Sequence, residues 1–300
     1  MHRTIWRRLR HLRETSDRLT SGLRALGKRV LTASLLSMKR QPARERLTEE
    51  LVGSVESRVR QKIFIGSFHK SGSWLMDEIW TRAAERLDLK LWPMHDQSVR
   101  EPDHWDVCFH WHSDFGDAPA GVKHKGILVI RDPRDVIISG AHYHCKADES
   151  WLHTPDVRLS RGLAPRLDGM TYQQKINSLP STEERLLFEL ENAGRITVQE
   201  MLTAITKYPS FRIVKFENLI TDYDLMEYHK LFSFLGFRGA DIPALLSIAF
   251  ENSIFSGNLP KSGHVRSARP AQWKTDFSPR VLAAFEAAFG DAPRRLGYEP

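Results

Sequence analysis

Lys62-Ile63-Phe64-Ile65-Gly66-Ser67-Phe68-His69-Lys70-Ser71-Gly72-Ser73-Trp74 passes from an apolar, β-rich run into a turn carrying a lysine, hydroxyls and a glycine. Lys62 to Phe68 predicts a strand and Ser73 to Leu87 the helix that follows. Such a turn aims backbone N–H groups and a helix N-terminus at one point, which suits a phosphate or sulfate. It is not the Gly-Lys-Ser/Thr nucleotide loop, because Lys70 precedes Ser71 and Gly72 and would approach an anion from another position. An ordinary capped βα turn is the other reading of the same residues.

Outward from this unit, Asp106 to Trp111 and Gly126 to Arg131 predict further strands, the second feeding a helix from Pro133, a favoured first helical residue. Short β-rich runs alternate with helical stretches after Gln61. That alternation predicts an α/β fold in three layers, a mainly parallel central sheet flanked by helices. Ala147 to Ser181 carries Pro155, Gly162, Pro165, Gly169 and Pro180 without periodicity and reads as a long surface excursion, a candidate lid. Ser181-Thr182-Glu183-Glu184 opens an amphipathic helix with a capping box. Phe211 to Phe216 predicts a strand, Tyr223 to Leu235 a helix ended by Gly236, Ser253 to Asp276 a second irregular stretch, and a last helix begins near Ser278.

The chain has 300 residues, 41% of them apolar, enough for an ordinary globular core. Its two cysteines, Cys108 and Cys145, make neither a disulfide framework nor a Cys-x-x-Cys metal spacing. No apolar run approaches the roughly 20 residues of a membrane span, and the start lacks a signal-peptide core, so a soluble, cytoplasmic protein is expected. The net charge of +7 is concentrated at one end: residues 1–46 hold 13 Lys/Arg against Glu14, Asp17 and Glu45, leaving the remainder near −3. Ile5, Leu9, Leu12, Leu19, Leu23 and Leu26 fall at helical spacing among Arg7, Arg8, Arg10, Arg13, Arg18 and Arg24. Residues 1–50 therefore read as a basic, helical N-terminal extension and residues 51–300 as the domain. A solvated helix, a helix making peripheral contact with a membrane or partner through residues 1–46, and an organelle transit peptide all fit the extension.

The second chemical signal is Ile127-Leu128-Val129-Ile130-Arg131-Asp132-Pro133-Arg134-Asp135-Val136-Ile137-Ile138-Ser139. A strand delivers Arg131 to its C-terminal edge, and Ser139 lies about two turns into the next helix. Both can face the crevice where open α/β sheets bind ligands, and together they can clamp a phosphate. A surface ion pair of Arg131 at a capped helix start is the alternative.

These two signals, in this order, resemble the sulfotransferase family that uses 3′-phosphoadenosine 5′-phosphosulfate (PAPS). That family's 5′-phosphosulfate loop reads Pro-Lys-Ser-Gly-Thr-Thr-Trp and its 3′-phosphate motif Arg-x-Pro-x-Asp-x-x-x-Ser. The resemblance implies a P-loop-like fold, Arg131 and Ser139 on the 3′-phosphate, and Lys70, Ser71, Gly72 and Ser73 around the 5′-phosphosulfate. One hydroxyl of the family loop is missing, since Trp74 follows Ser73 directly. A C-terminal motif, Arg-Lys-Gly-x-x-Gly-x-Trp-Lys-x-x-Phe-Thr, is matched at Arg266, Trp273, Lys274 and Phe277, while Ser267, Ala268 and Ala271 replace its Lys and both glycines. The resemblance implies that Arg266, with Ser267 and Ala268, also meets the 3′-phosphate, and Arg269 is a candidate replacement for the lost lysine.

In the family, a strand ending in Lys-Thr-His supplies the catalytic base. Here Val107-Cys108-Phe109-His110-Trp111-His112-Ser113 places His112 in that role and His110 at the lysine's place, both on one face if the strand continues. An imidazole near neutral pKa would take the acceptor hydroxyl's proton, and Lys70 would stabilise the leaving phosphate, so no metal is implied. His142, His144 and Cys145 do not share a helix face and read as packing residues. Phe216-Glu217-Asn218-Leu219 resembles the family's Tyr-Glu-Asp-Leu stretch beside the adenine; Phe216 and Trp74 are candidates for the adenine wall, and Leu296-Gly297-Tyr298 for the C-terminal helix ending. Two rivals are a P-loop nucleotide kinase, which needs Gly-Lys-Ser/Thr and an acidic Mg²⁺ ligand, and a catalytically inactive nucleotide-binding module. The expected acceptor is a hydroxyl-bearing carbohydrate or other alcohol, not a nucleic acid. The excursion supplies Trp151, Tyr172, Arg158, Arg161 and Arg166 as candidates for meeting it. Oligomeric state is left open.

Overall fold

The computed structural model describes residues 61–96, 98–159, 165–256 and 269–299, all within the unit Val59–Pro300. The basic extension, Arg161 and the segment holding Arg266, Ser267 and Ala268 lie outside the described residues.

Five parallel strands form the sheet in the order β2-β3-β1-β4-β5. They are β1 (Lys62–Gly66), β2 (Leu91–Pro93), β3 (Val107–His110), β4 (His124–Ile130) and β5 (Arg212–Lys215). The central strands are apolar on both sides, and their period of two divides the core. Ile63, Ile65, Val107, Phe109, Ile127 and Val129 face one layer of helices, and Phe64, Cys108, Leu128 and Ile130 the other. On the first face lie α1 (Ser73–Leu87), α7 (Met226–Leu235) and α8 (Asp241–Glu251). Trp80 and Phe232 are nearly inaccessible there, and each such side chain contributes about 1.5 to 3 kcal/mol through burial. On the second face α5 (Ala193–Lys207) brings Val198, Met201 and Ala204. A third cluster joins α2 (Pro133–His144), α3 (Tyr172–Ser178), α4 (Thr182–Glu191) and α10 (Pro279–Phe289). The short helices α6 (Phe216–Ile220), α9 (Trp273–Asp276) and α11 (Ala292–Arg295) complete the described elements.

The connection after β1 runs towards β2 and β3, whereas that after β4 runs towards β5 on the opposite side. β1 and β4 are thus the neighbours between which the winding reverses, and a crevice opens at their C-terminal ends. The turn Ser67–Gly72 and Arg131 both sit there.

Several local expectations are corrected. β3 stops at His110, so Trp111 and His112 belong to the turn beyond it and do not continue a strand alternation. The stretch 147–181 contains α3, nucleated by a full capping box between Thr171 and Gln174, and a 3₁₀ turn at Ser150–His153. Tyr172 is fully buried, a core residue and not an acceptor-facing aromatic. At Ser181 the hydroxyl accepts from the Glu184 N–H, while the Glu184 carboxylate pairs with Arg280, so the expected box is half made. Tyr223 precedes its helix, which begins at Met226 after Leu225 adopts a left-handed φ of 62°. Phe216 starts α6 and does not end β5. Among the described residues no helix is long and apolar enough to cross a membrane.

Candidate active site

The turn after β1 is built from its own hydroxyls. Ser71 accepts from the Phe68 N–H at 2.8 Å and lies 3.0 Å from the Val129 carbonyl on β4, while Ser73 donates to the Phe68 carbonyl at 2.8 Å. The Ser113 hydroxyl donates to the Ser67 carbonyl at 2.8 Å from the other side. Ser71 is fully buried, and its hydroxyl fixes the turn to β4. Lys70 and Gly72 have φ of 62° and 98°. At Gly72 a Cβ would also lie 2.6 Å from the Phe216 ring, so glycine is required both by the backbone and by the neighbour. Gly72 caps α1 without a side-chain bond, and the first turn of α1 holds no acid. The N–H groups and positive dipole end of that helix are left for an anion.

Lys70, Gly72, Ser73, Trp74, Arg131, Ser139 and Phe216 line one cavity of about 480 Å³. Lys70 holds its Nζ 3.1 Å from the Tyr143 ring centroid, and burial pushes its ammonium down to about 7. Arg131 donates from Nη1 to the Lys70 carbonyl at 3.0 Å, lies 5.3 Å from the Phe216 ring centroid, and has its pKa lowered by burial. Among the described residues neither cation forms an ion pair. The Arg131 guanidinium and a lysine that an arriving anion would charge, beside an uncapped helix N-terminus, suit a polyanionic ligand.

The remainder of the Arg131–Ser139 motif is structural. Asp132 caps α2 through the Arg134 N–H and binds the Arg134 guanidinium at 2.9 Å, and that guanidinium lies 3.7 Å from the Trp273 ring centroid. Asp135 accepts from the Trp273 N–H at 3.0 Å, and burial raises its pKa to about 6. This bond ties the C-terminal motif to the helix after β4, and Gln272 joins the cavity wall. Tyr298 donates to Glu217 at 2.8 Å, and Glu217 accepts from the Asp132 N–H at 2.9 Å, which explains the conjunction of the Glu217 and Tyr298 motifs.

A second cavity, of about 900 Å³, adjoins the first and shares His69, Trp111, His112, Tyr143, Lys146 and Glu149 with it. Trp151 and Arg158 line it. Arg166 is instead paired with Asp168 at the surface. His112 is half-exposed at the junction, and its Nδ1 lies 3.0 Å from the Glu200 carboxylate on α5. With Nδ1–H donating to Glu200, Nε2 is the basic nitrogen, and this hydrogen bond raises the His112 pKa above 6.5. His110 lines neither cavity. Its Nδ1 accepts from the His112 N–H at 3.0 Å, and burial lowers its pKa to about 4. His110 therefore supports the turn, and His112 alone of the pair faces the junction.

Sequence reasoning missed Glu200, Tyr143 and Glu149. Glu149 accepts from the Tyr143 hydroxyl at 2.8 Å and from the Trp151 indole at 2.5 Å. It also missed a chain behind the turn: His69 Nε2 lies 2.8 Å from His144 Nε2, and His144 Nδ1 lies 2.8 Å from Glu189. The bare histidine pair within α2 carried no spacing signal for these bonds, which bridge separate elements.

No family model and no curated protein matches the chain. Among solved structures, mouse sulfotransferase SULT7A1 complexed with PAP matches with a TM-score of 0.51 at 17% identity, over 82% of this chain and 90% of that one. Retinol dehydratase in complex with androsterone and inactive cofactor PAP matches with a TM-score of 0.43 at 14% identity, over 78% of this chain and 80% of that one. The first likeness is one of fold: the parallel sheet flanked by helices is the P-loop-like architecture expected from the sequence.

Proposed function

We propose that the chain is a PAPS-dependent sulfotransferase acting on the hydroxyl of a carbohydrate or other alcohol. One observation carries the reading. The Lys70 turn and the Arg131–Ser139 motif converge on one cavity, and the His112–Glu200 pair stands where that cavity opens into a second. The fold shared with a sulfotransferase supports it.

In this reading Arg131 and Ser139 hold the 3′-phosphate of PAPS, and Gly72, Ser73 and the start of α1 receive the 5′-phosphosulfate. Phe216 and Trp74 flank the adenine. Arg266 with Ser267 and Ala268 belongs to the same 3′-phosphate site by resemblance. When bound, PAPS supplies an activated sulfuryl group. His112 Nε2 takes the acceptor hydroxyl's proton, and the resulting imidazolium is stabilised by Glu200. A positioned base of this kind contributes about 10²- to 10⁴-fold. Lys70 gains charge as the anion enters and stabilises the negative charge that gathers on the leaving phosphate. The wider cavity receives the acceptor against Trp111 and Trp151.

The reading is tested by thermal shift of the full chain with 3′-phosphoadenosine 5′-phosphate (PAP) against ATP with Mg²⁺. Selective stabilisation by PAP is expected, and about 2.7 kcal/mol accrues when the ligand is present at 100 times its Kd. Selective stabilisation by ATP with Mg²⁺ would replace the reading with a phosphotransferase.

A further inference from the structure

His69 stands directly before Lys70, where the resembling family's loop carries proline, and lines both cavities. Its Nε2 is 2.8 Å from Nε2 of His144, the last residue of α2, and the two rings lie edge to edge, with centroids 5.0 Å apart and planes 7° from parallel. His144 is fully buried and its Nδ1 lies 2.8 Å from Glu189 Oε2, which also accepts from the Tyr172 hydroxyl at 3.0 Å. Room for that carboxylate comes from Gly140, where a Cβ would lie 2.3 Å from Glu189 Oε1. Residues from the β1–α1 turn, α2, α3 and α4 are thus assembled around a buried Glu189-His144-His69 line that ends at the junction of the two cavities.

One tautomer assignment satisfies all of these bonds. Glu189 accepts from the Tyr172 hydroxyl and from His144 Nδ1–H. His144 Nε2 then accepts the Nε2–H of His69. The nitrogen of His69 left to accept a proton is Nδ1. Glu149, the carboxylate at the same junction, already accepts from Tyr143 and Trp151.

We infer that His69, backed by His144 and Glu189, is a second general base of the transfer site, at the same junction as the His112–Glu200 pair. This rests on the sulfotransferase reading. On this second route, which carries the transfer when His112 does not take the proton, the acceptor's O–H bond breaks and its proton passes to His69 Nδ1. The oxygen's electron pair forms the new O–S bond, and the S–O bond to the 5′-phosphate breaks with its pair remaining on the phosphate. The imidazolium so formed keeps its Nε2–H on His144 and is offset by the Glu189 charge.

The two bases differ in their acid limbs. Burial lowers the His69 pKa well below 6.5, with His144, Lys70 and His112 adding to the effect; Tyr143, Lys146 and Glu149 complete the titratable groups facing the junction beside it. His112 is shifted the other way. The test follows labelled sulfate leaving PAPS for 2-naphthol, methyl glucoside or water in the wild type, His112→Ala, and His112→Ala with His69→Gln, with PAP thermal shifts as the control for folding and binding. His112→Ala is expected to keep a residual rate, about 10²-fold or more below wild type, whose acid limb lies at lower pH than the wild-type limb. Adding His69→Gln is expected to remove about 10-fold or more of that residue with PAP stabilisation retained. If the double variant misfolds, the pH profile of His112→Ala alone decides. No residual rate in His112→Ala, an unmoved acid limb, or a residual rate indifferent to His69→Gln would overturn the inference. A wild-type chain that neither binds PAP nor moves the label would instead overturn the proposed function beneath it.

Discussion

The Arg131 guanidinium donates to the Lys70 backbone carbonyl at 3.0 Å, joining the end of β4 to the turn after β1 across the point where the winding of the sheet reverses. The residue proposed for the 3′-phosphate therefore also holds the conformation of the lysine proposed for the 5′-phosphosulfate. Arg131→Lys keeps the charge but loses the planar fork. PAP affinity, measured by calorimetry, is expected to fall about 10- to 100-fold, in line with the loss of a charge-assisted bond. Unchanged affinity would remove Arg131 from the site.

Gly72 combines a φ of 98° with contact against Phe216. Gly72→Ala is expected to destabilise the chain by about 2 to 4 kcal/mol in urea unfolding, from left-handed backbone strain and overpacking together. Phe216→Leu in the same background should return the packing part and leave the backbone part. A Gly72→Ala chain as stable as wild type would contradict the geometry of the turn.

Lys70 titrates near 7 in the free protein because burial disfavours its charge. At pH 8 it is mostly neutral, and an anion beside it raises its pKa. PAP binding at pH 8 should therefore take up close to one proton, and affinity should weaken as pH rises above 7. Calorimetry in buffers of different ionisation enthalpy measures the uptake. Lys70→Met should abolish it; equal uptake in the variant would assign the proton elsewhere.

The hydrogen bond donated to Glu200 raises the His112 pKa above 6.5, and the base must be neutral to act. Rate should therefore fall as pH drops through that raised value. Glu200→Gln removes the stabilisation of the imidazolium and is expected to move the acid limb of kcat/KM to lower pH while lowering the plateau rate. An acid limb that stays in place would show that His112 does not set it.

Much of this arrangement was legible because it is contiguous. Lys70 to Trp74 and Arg131 to Ser139 each lie within one strand-turn-helix unit, so spacing alone placed them at one sheet edge, and α2 begins at Pro133 as expected. What sequence hid lies in long-range pairing. Glu200 is 88 positions from His112, His144 is 75 from His69, and Glu189 is 45 from His144; the packing of α5, of α2 against the turn after β1, and of α4 brings them together. The motif does not show that the Ser71 hydroxyl bonds the Val129 carbonyl of β4. Tyr172 looked like a lid aromatic because the stretch around it is rich in proline and glycine, and the capping box at Thr171 buries it instead. The strand β2, three residues long, is too short to show a period.

The central claim is sulfuryl transfer from PAPS, and its most direct measurement is transfer of label from sulfur-labelled PAPS to a panel comprising a phenol, a sterol-like alcohol and a monosaccharide. The account predicts a labelled sulfate ester with PAP as the other product, and at least a 10²-fold loss of rate in His112→Ala with PAP binding retained. Binding of PAP without transfer to any member of the panel, or transfer at full rate in His112→Ala, would contradict it.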